Sequence, residues 1–553
     1  MRTLINFCLL FLLCWSSANL TQYDIQRAKR LSSGRLKGRA APEASLHYRQ
    51  ELISRGTRSP YYTNKTSNFW VDGTAIPDVD FDIGDSYAGL LPISSEPNES
   101  RKFYFWFFPS ANPAATDEIL IWLNGGPGCS SLEGLLQENG PFQWQYGTYK
   151  PVPNPWTWVN LTNVVWIDQP IGTGFSQGEN NITTEAEMAS QFLGFYRNFV
   201  QTFDLTGRNI FIAGESYSGQ YVPHIASAML DQNDTETFNL NSTMILDPLI
   251  NSPVVLTEVF AANFLNDWQS TFSLNKTTVA QVQNMSIECG YQSYIEDNFL
   301  FPPKGPFPPI PDASDTDPNC AVWETIADAV AIVNPCWNIY HITATCPQLW
   351  DVLGWPGTSS YLPPGGGPLY FDRADVKTAI HAPMNTTWTE CTDAVIYNTE
   401  TGWSTDSQNN LYTPFTVLPG VIERSQRTII GHGNLDFLLL SQASLLTIQN
   451  MTWAGQQGFQ SPVDQDFIVP AQTAYQDTTL AGSGVMGSTK TERGLTFVEV
   501  SLSGHMVPQY QPAAAFRLVE FLLGRVSSIS EAEPFTNSSD GLVAQQNAPD
   551  PSD

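Results

Sequence analysis

The chain has 553 residues, 42% of them hydrophobic, and a formal net charge of −28. That length and apolar content suffice for a large buried core, while the shortage of lysine and arginine disfavours nucleic acid or an anionic membrane as partner. Neither a His-Glu-x-x-His zinc motif nor a phosphate-binding loop is present, so no metal and no cofactor is expected.

Residues 1–18 carry Arg2, an apolar core over 4–15 and the small run Ser16-Ser17-Ala18. This is the pattern of a signal peptide, too short for a membrane anchor. Residues 19–68 form a basic arm in an otherwise acidic chain, and the Lys29-Arg30 pair fits a cleaved propeptide as well as an arm lying across the acidic body. Asn-x-Ser/Thr acceptors at Asn64, Asn98, Asn160, Asn181, Asn233, Asn241, Asn275, Asn284, Asn385, Asn450 and Asn537 agree with export by their density. The tail over 527–553 is rich in Ser, Asp and Pro without periodic apolar residues, and is expected to be disordered. It lacks the hydrophobic end of a lipid-anchor signal, so no membrane anchor is expected and the protein is placed outside the cell, with an acid vacuole as the alternative.

Between these ends the pattern is that of a folded core in two parts, 69–250 and 370–526. Residues 119–123 read as a buried strand entering Asn124-Gly125-Gly126-Pro127-Gly128, a turn whose amides can approach a ligand closely because no Cβ intervenes. Residues 209–213 read as a strand entering Gly214-Glu215-Ser216-Tyr217-Ser218-Gly219, and 221–230 as a helix leaving it. Such an elbow presents a serine nucleophile and needs small neighbours; Ser218 stands where a second glycine is usual. The insertion over 251–369 reads as a cap, with a helix over 254–267, a proline-rich run over 301–311 and Gly365-Gly366-Gly367 near its end. Predicted strands at 427–430 and 495–502 then lead to loops holding Asp436 and His505.

Nucleophile, acid and base in this chain order is the order of the α/β-hydrolase fold. A serine hydroxyl needs an imidazole to take its proton and a carboxylate to hold that imidazole in the right tautomer. Of the six histidines, His47 lies in the basic arm, His224 and His381 in helix-like segments and His341 in a cysteine-rich region. His432 is close to Asp436 in sequence and reads as a local loop residue. His505, between a strand and a helix, is the candidate base.

With Glu138-Asn139-Gly140-Pro141, Asn154-Pro155-Trp156-Thr157-Trp158, Asp168-Gln169-Pro170 and His505-Met506-Val507-Pro508 also present, the combination resembles the serine carboxypeptidase family over about residues 81–524. It is similar to the fungal secreted branch. The resemblance implies an α/β-hydrolase fold with a mainly parallel central sheet and an inserted, disulfide-stapled cap. It implies a serine-type exopeptidase acting on the C-termini of peptides and proteins through an acyl-enzyme.

Carried onto this sequence, the resemblance makes Ser216, Asp436 and His505 catalytic and the amides of Gly126 and Tyr217 the oxyanion hole. It makes Asn124, Gly125, Glu138 and Glu215, with Trp122 shaping the site, the binders of the substrate carboxylate. A glutamate donates to a carboxylate only when protonated, and two neighbouring carboxyls hinder each other's ionisation, so peptidase activity is expected at acid pH. Leu439 departs from the family, which often carries cysteine three residues after the aspartate; with Tyr217 it is a candidate wall of an apolar pocket for the residue before the scissile bond. Glu133, near the glycine turn, reads either as favouring a basic residue on one side of the cut or as a solvated helix residue.

Cys8 and Cys14 belong to the signal, and the six remaining cysteines of an exported chain read as three disulfides. The resemblance pairs Cys129 with Cys391. The other four bridge within the cap; Cys289 with Cys346 and Cys320 with Cys336 is the favoured pairing, and spacing alone leaves the others open. Two further functions fit the same residues: an acyltransferase in which an alcohol or amine replaces water, and a non-catalytic stabilising partner.

Overall fold

Strands buried on both faces read as near-continuous apolar runs, and 119–123 and 164–167 are such runs, every residue of each being buried. The computed structural model describes residues 59–110, 112–311, 317–354, 368–471 and 482–536. The expected signal peptide, the arm up to residue 58, Gly365-Gly366-Gly367 and the tail from Asn537 lie outside the described residues.

One 11-stranded sheet organises the chain. Its strands are β1 (Trp70–Val71), β2 (Ser86–Pro92), β3 (Lys102–Phe108), β4 (Glu118–Leu123), β5 (Val164–Asp168) and β6 (Asn209–Glu215). They continue with β7 (Leu240–Leu246), β8 (Arg427–Gly433), β9 (Gln465–Val469), β10 (Gly484–Glu492) and β11 (Leu495–Val500). In space the order is β1-β2-β3-β5-β4-β6-β7-β8-β11-β10-β9. The run from β5 through β4, β6, β7 and β8 to β11 is parallel, and antiparallel ladders flank it on both sides. The expected α/β-hydrolase fold with a mainly parallel centre is thus present.

Helices α1 (Glu185–Phe203) and α2 (Ser218–Gln232) belong to the core, α3 (Val259–Asp267), α4 (Lys276–Glu288), α5 (Tyr291–Asn298) and α6 (Val322–Val333) to the cap, and α7 (Ser441–Asn450) and α8 (Pro512–Leu522) to the second half of the core. The period of two sorts strand side chains between layers. Phe103, Phe105, Phe107, Ile119, Ile121 and Leu123 pack with α1 and α2. Their alternates Tyr104, Trp106, Phe108, Leu120 and Trp122 pack with α8. Helix α1 starts at a capping box, Thr184 accepting from the Glu187 N–H while Glu187 reaches back.

The predicted helix over 254–267 is a π turn, Val254–Glu258, running into α3. Cap helices share an apolar cluster with Leu435, Phe437 and Leu439, so the cap sits on the Asp436 loop. Cys129 is bonded to Cys391. The cap pairing differs from expectation: Cys289 bonds Cys320 and Cys336 bonds Cys346, instead of Cys289 with Cys346 and Cys320 with Cys336. The cause is helix packing. Cys289 caps the end of α4 and Cys320 ends the turn leading into α6, which packs on α4, bringing their Cα atoms to 5.6 Å.

The tail also departs from expectation in its first residues. Ile529 and Phe535 are buried, Phe535 against Trp156 and Phe516, and Thr536 donates through N and Oγ1 to Glu520 Oε1. Among the sequons, Asn64, Asn98, Asn181, Asn233, Asn275, Asn284 and Asn385 are exposed, whereas Asn160, Asn241 and Asn450 are partly buried.

Candidate active site

In open α/β sheets, functional residues gather beyond the carboxyl ends of parallel strands. Four neighbouring parallel strands do this here: Ser216 follows β6, Asp247 follows β7, Asp436 lies just past β8 and His505 just past β11. Ser216 sits at φ 60°, in the left-handed region that a side chain adopts only under constraint. The elbow is held from both sides, Ser216 N donating to Leu246 O at 3.0 Å and Leu249 N to Ser216 O at 2.8 Å. Ser218 fits the tight turn because its Oγ points inward, donating to Leu123 O at 2.8 Å.

Buried His505 presents Nδ1 to buried Asp436 Oδ2 at 2.7 Å. Asp436 Oδ1 accepts the N–H groups of Leu438 and Leu439 at 2.7 and 3.3 Å, which fixes the carboxylate plane. Nε2 of His505 has no partner among the described residues and is available to a substrate-side group. His505 N donates to Tyr340 O at 2.7 Å, and the Tyr340 ring meets the imidazole edge to face at 5.2 Å.

The glycine turn lies against the elbow. A Cβ on Gly125 would come within 2.4 Å of Tyr217 N and 2.8 Å of Ser216 Cβ. The N–H groups of Gly125, Gly126 and Tyr217 donate to no partner among the described residues. Gly126, at φ 111°, is exposed.

Asn124 orders the ground beside Ser216. Its Oδ1 accepts from Trp122 Nε1 at 2.7 Å and Gly134 N at 3.3 Å, so its Nδ2 faces the carboxyls. Nδ2 lies 2.6 Å from Glu133 Oε2, 2.9 Å from Glu215 Oε1 and 3.3 Å from Glu138 Oε1. An amide has two protons to give, so three acceptors exceed its supply, and the carboxyls must also share protons among themselves. All three glutamates are held well above the usual carboxylate range, first by burial and next by each other's charge. One oxygen from each lies within 4.8 Å of the others, and the Asn124 nitrogen is within hydrogen-bond distance of all three side chains.

The structure sets Trp122, Asn124, Gly125, Glu138 and Glu215, the residues that the resemblance singles out, beside one another, and adds Glu133, which is a buried member of the cluster and not a solvated helix residue. Glu133 and Glu138 are five apart, about 140° around an α-helix. They come closer than that because the turn Leu132–Gly134 widens into a π turn over Leu135–Asn139, whose i to i+5 bonding advances less per residue than an α-helix. His432 is not a loop residue but lies buried in β8, Nδ1 3.3 Å from Asp247 Oδ1. Tyr217 is fully buried, its hydroxyl donating to Glu185 Oε1 at 2.8 Å, with exposed Trp403 over its ring and Leu439 buried under the cap.

The serine carboxypeptidase family model matches residues 77–525. The chain is 52% identical to a probable serine carboxypeptidase of Arthroderma benhamiae over 89% of its own length and 97% of the relative's. It is 44% identical to a serine-type carboxypeptidase F of Aspergillus niger, covering 84% of this chain and 88% of that one. A crystal structure of a prohormone-processing carboxypeptidase from Saccharomyces cerevisiae superposes with a TM-score of 0.62 at 23% identity, over 84% of this chain and 98% of the other, a likeness of fold. The chain belongs to the serine carboxypeptidase family.

Proposed function

We propose that this serine-type carboxypeptidase releases single C-terminal amino acids from peptides and proteins at acid pH, by way of an acyl-enzyme on Ser216. The observation that carries the reading is the Asn124 amide set among three buried carboxyls, one of them on the residue before Ser216. No cation among the described residues pairs with these carboxyls, so they offer hydrogen bonds to a substrate carboxylate by staying protonated.

In the first half-reaction, Ser216 Oγ attacks the carbonyl carbon of the last peptide bond and its proton passes to His505 Nε2. Asp436 holds the imidazolium through Nδ1. The tetrahedral oxyanion takes hydrogen bonds from the Gly126 and Tyr217 amides, each such donor being worth roughly 10²- to 10³-fold in rate. His505 returns the proton to the leaving nitrogen, and the free amino acid departs. Water then attacks the ester with His505 as base, and the shortened peptide leaves as Ser216 regains its proton. Asn124, the Gly125 amide, Glu138, Glu215 and Glu133 grip the carboxylate of the residue being removed, and Leu439 with the covered ring of Tyr217 gives the preceding residue an apolar setting. The signal-peptide pattern expected over residues 1–18 and the exposed sequons support a secreted enzyme.

The deciding assay compares a blocked dipeptide with its C-terminally amidated form, for wild type and Ser216→Ala, across acid to neutral pH. Release of the last residue from the free acid, strongest at acid pH and absent in Ser216→Ala, is the expected result. Equal pH profiles for acid and amide would overturn the role given to the glutamates.

A further inference from the structure

Asp247 and His432 are fully buried, and the reaction above uses neither. Asp247 sits in the left-handed region at φ 43°, at the sheet edge that also carries Ser216, Asp436 and His505. Its Oδ1 accepts the Gly433 N–H at 2.9 Å. One carboxyl oxygen of Asp247, one of Asp436 and a ring nitrogen of His505 all lie within 4.8 Å of one another.

Two carboxyls that close and that buried do not both ionise. Asp436 is built to carry the charge, because its oxygens take two backbone N–H groups and the His505 Nδ1 proton. Asp247 Oδ1 takes one backbone N–H, from Gly433, and faces the His432 ring at 3.3 Å, while its Oδ2 takes no N–H donor among the described residues and its carboxyl lies within hydrogen-bonding reach of Asp436. The titratable groups around Asp247 are Asp436, Glu215, His432 and His505. Asp436 and Glu215 add like charge, and His432 supplies no cation, since burial lowers its pKa to about 3. Burial first, then the charge of Asp436, hold the Asp247 carboxyl well above the usual range.

We propose that Asp247 is a positioning residue of the catalytic apparatus: it keeps its proton and donates it from Oδ2 as a hydrogen bond to Asp436. The proposal rests on the reading of Ser216, Asp436 and His505 as the catalytic triad. A neutral donor behind Asp436 fixes the carboxylate facing His505 and tempers its basicity, without placing a second negative charge beside the imidazole. Removing that donor leaves more of the Asp436 charge facing the imidazolium, which moves the acid limb of kcat/KM to higher pH.

The test uses Asp247→Asn, which keeps a neutral donor in the same shape, and Asp247→Ala, which removes it. The substrate is C-terminally amidated, so that titration of the glutamate cluster does not enter the profile. The Asn variant is expected to lose about two- to fivefold in kcat with its acid limb within about 0.3 pH unit of wild type. The Ala variant is expected to lose about ten- to a hundredfold, with the acid limb raised by about half a unit or more. A merely structural role would move neither limb. An acid limb lowered by about a unit in the Asn variant would show that Asp247 is ionised and overturn the proposal, as would wild-type kinetics in the Ala variant. Should the Ala variant not fold, the Asn profile still separates a neutral from a charged Asp247. Fluorophosphonate labelling of the wild-type protein, lost in Ser216→Ala, tests the triad separately; its absence would remove the reading underneath, whatever the Asp247 variants do.

Discussion

Asn124 Nδ2 donates to Glu215 Oε1 at 2.9 Å, and Glu215 is joined directly to Ser216. In the proposed reaction the group that reads the substrate carboxylate and the group that attacks the peptide bond therefore share one backbone turn. A shift in either is felt by the other, which makes pH the most direct probe of the pair.

Glu215→Gln replaces a titrating donor with a permanent one. In the wild type, raising the pH strips protons from the cluster, removes donors from the substrate carboxylate and raises KM for a free-acid peptide. The glutamine amide keeps donating at every pH. The ratio of KM at pH 7 to KM at pH 5 is thus expected to fall by about tenfold in the variant, one carboxyl-pKa unit's worth, with little change for an amidated peptide. Steady-state kinetics on the two substrates checks this, and an unchanged ratio would refute it.

Gly134→Ala inverts an ordinary expectation. Inside a helix, alanine is usually better than glycine by about 1 kcal/mol. Here a Cβ would lie 2.2 Å from Trp122 Nε1 and 2.8 Å from Asn124 Oδ1, pushing apart the bond that orients the Asn124 amide. The variant is expected to melt lower than wild type and to bind free-acid peptides several-fold more weakly, measured by thermal denaturation and KM. A raised melting point would show that the turn yields without cost.

How much of this was legible beforehand depends on how local the cause was. The elbow at Ser216 and the strands before Asp436 and His505 could be read because strand period, glycine turn and helix start lie within a dozen residues. Glu133 could not, since its convergence with Glu138 depends on a π turn that the spacing does not announce. Asp247 and His432 sit at or beside strand ends in apolar surroundings, where nothing local marks a buried polar pair. The cap disulfides follow from α4 packing on α6, a tertiary fact, and Phe535 docks through a single aromatic in an otherwise polar tail.

Buried carboxyls away from the carboxylate-binding cluster make acid stability an expected property. Burial raises Glu185 from 4.5 to about 7, Asp168 from 3.8 to about 6 and Asp351 from 3.8 to about 6, against hydrogen bonds that pull each down. A carboxyl whose folded pKa is raised contributes its full stability below the unfolded pKa and loses it as pH rises through the folded pKa, because the unfolded chain ionises first. The melting temperature is therefore expected to fall between about pH 4.5 and pH 7. Glu185→Gln, which keeps an uncharged partner for Tyr217 and Tyr397, should flatten the upper part of that slope. Melting curves across the range decide it, and a melting point that climbs towards neutrality would contradict the assignment.

The Cys336–Cys346 bridge closes a loop that grips the catalytic groups from the cap side. Within it, Tyr340 O accepts the His505 N–H at 2.7 Å, Ile339 O accepts the Phe437 N–H at 2.9 Å, and Ile342 N donates to Leu435 O at 3.1 Å. Acid loop and base loop are thus tied to one small ring, whereas Cys289–Cys320 joins cap helices to each other. Replacing Cys336 and Cys346 by serine frees the loop, and a catalytic group displaced by about 1 Å costs on the order of a hundredfold in rate. The expected outcome is a kcat on amidated substrate lowered by about ten- to a hundredfold, with slower fluorophosphonate labelling of Ser216. The Cys289→Ser, Cys320→Ser protein should lose melting temperature while keeping kcat within about threefold, because loss of a cap crosslink acts mainly on stability. Equal kinetic losses from the two double variants would mean that the bridges only stiffen the cap, and that the Tyr340 contact does not hold His505 in place.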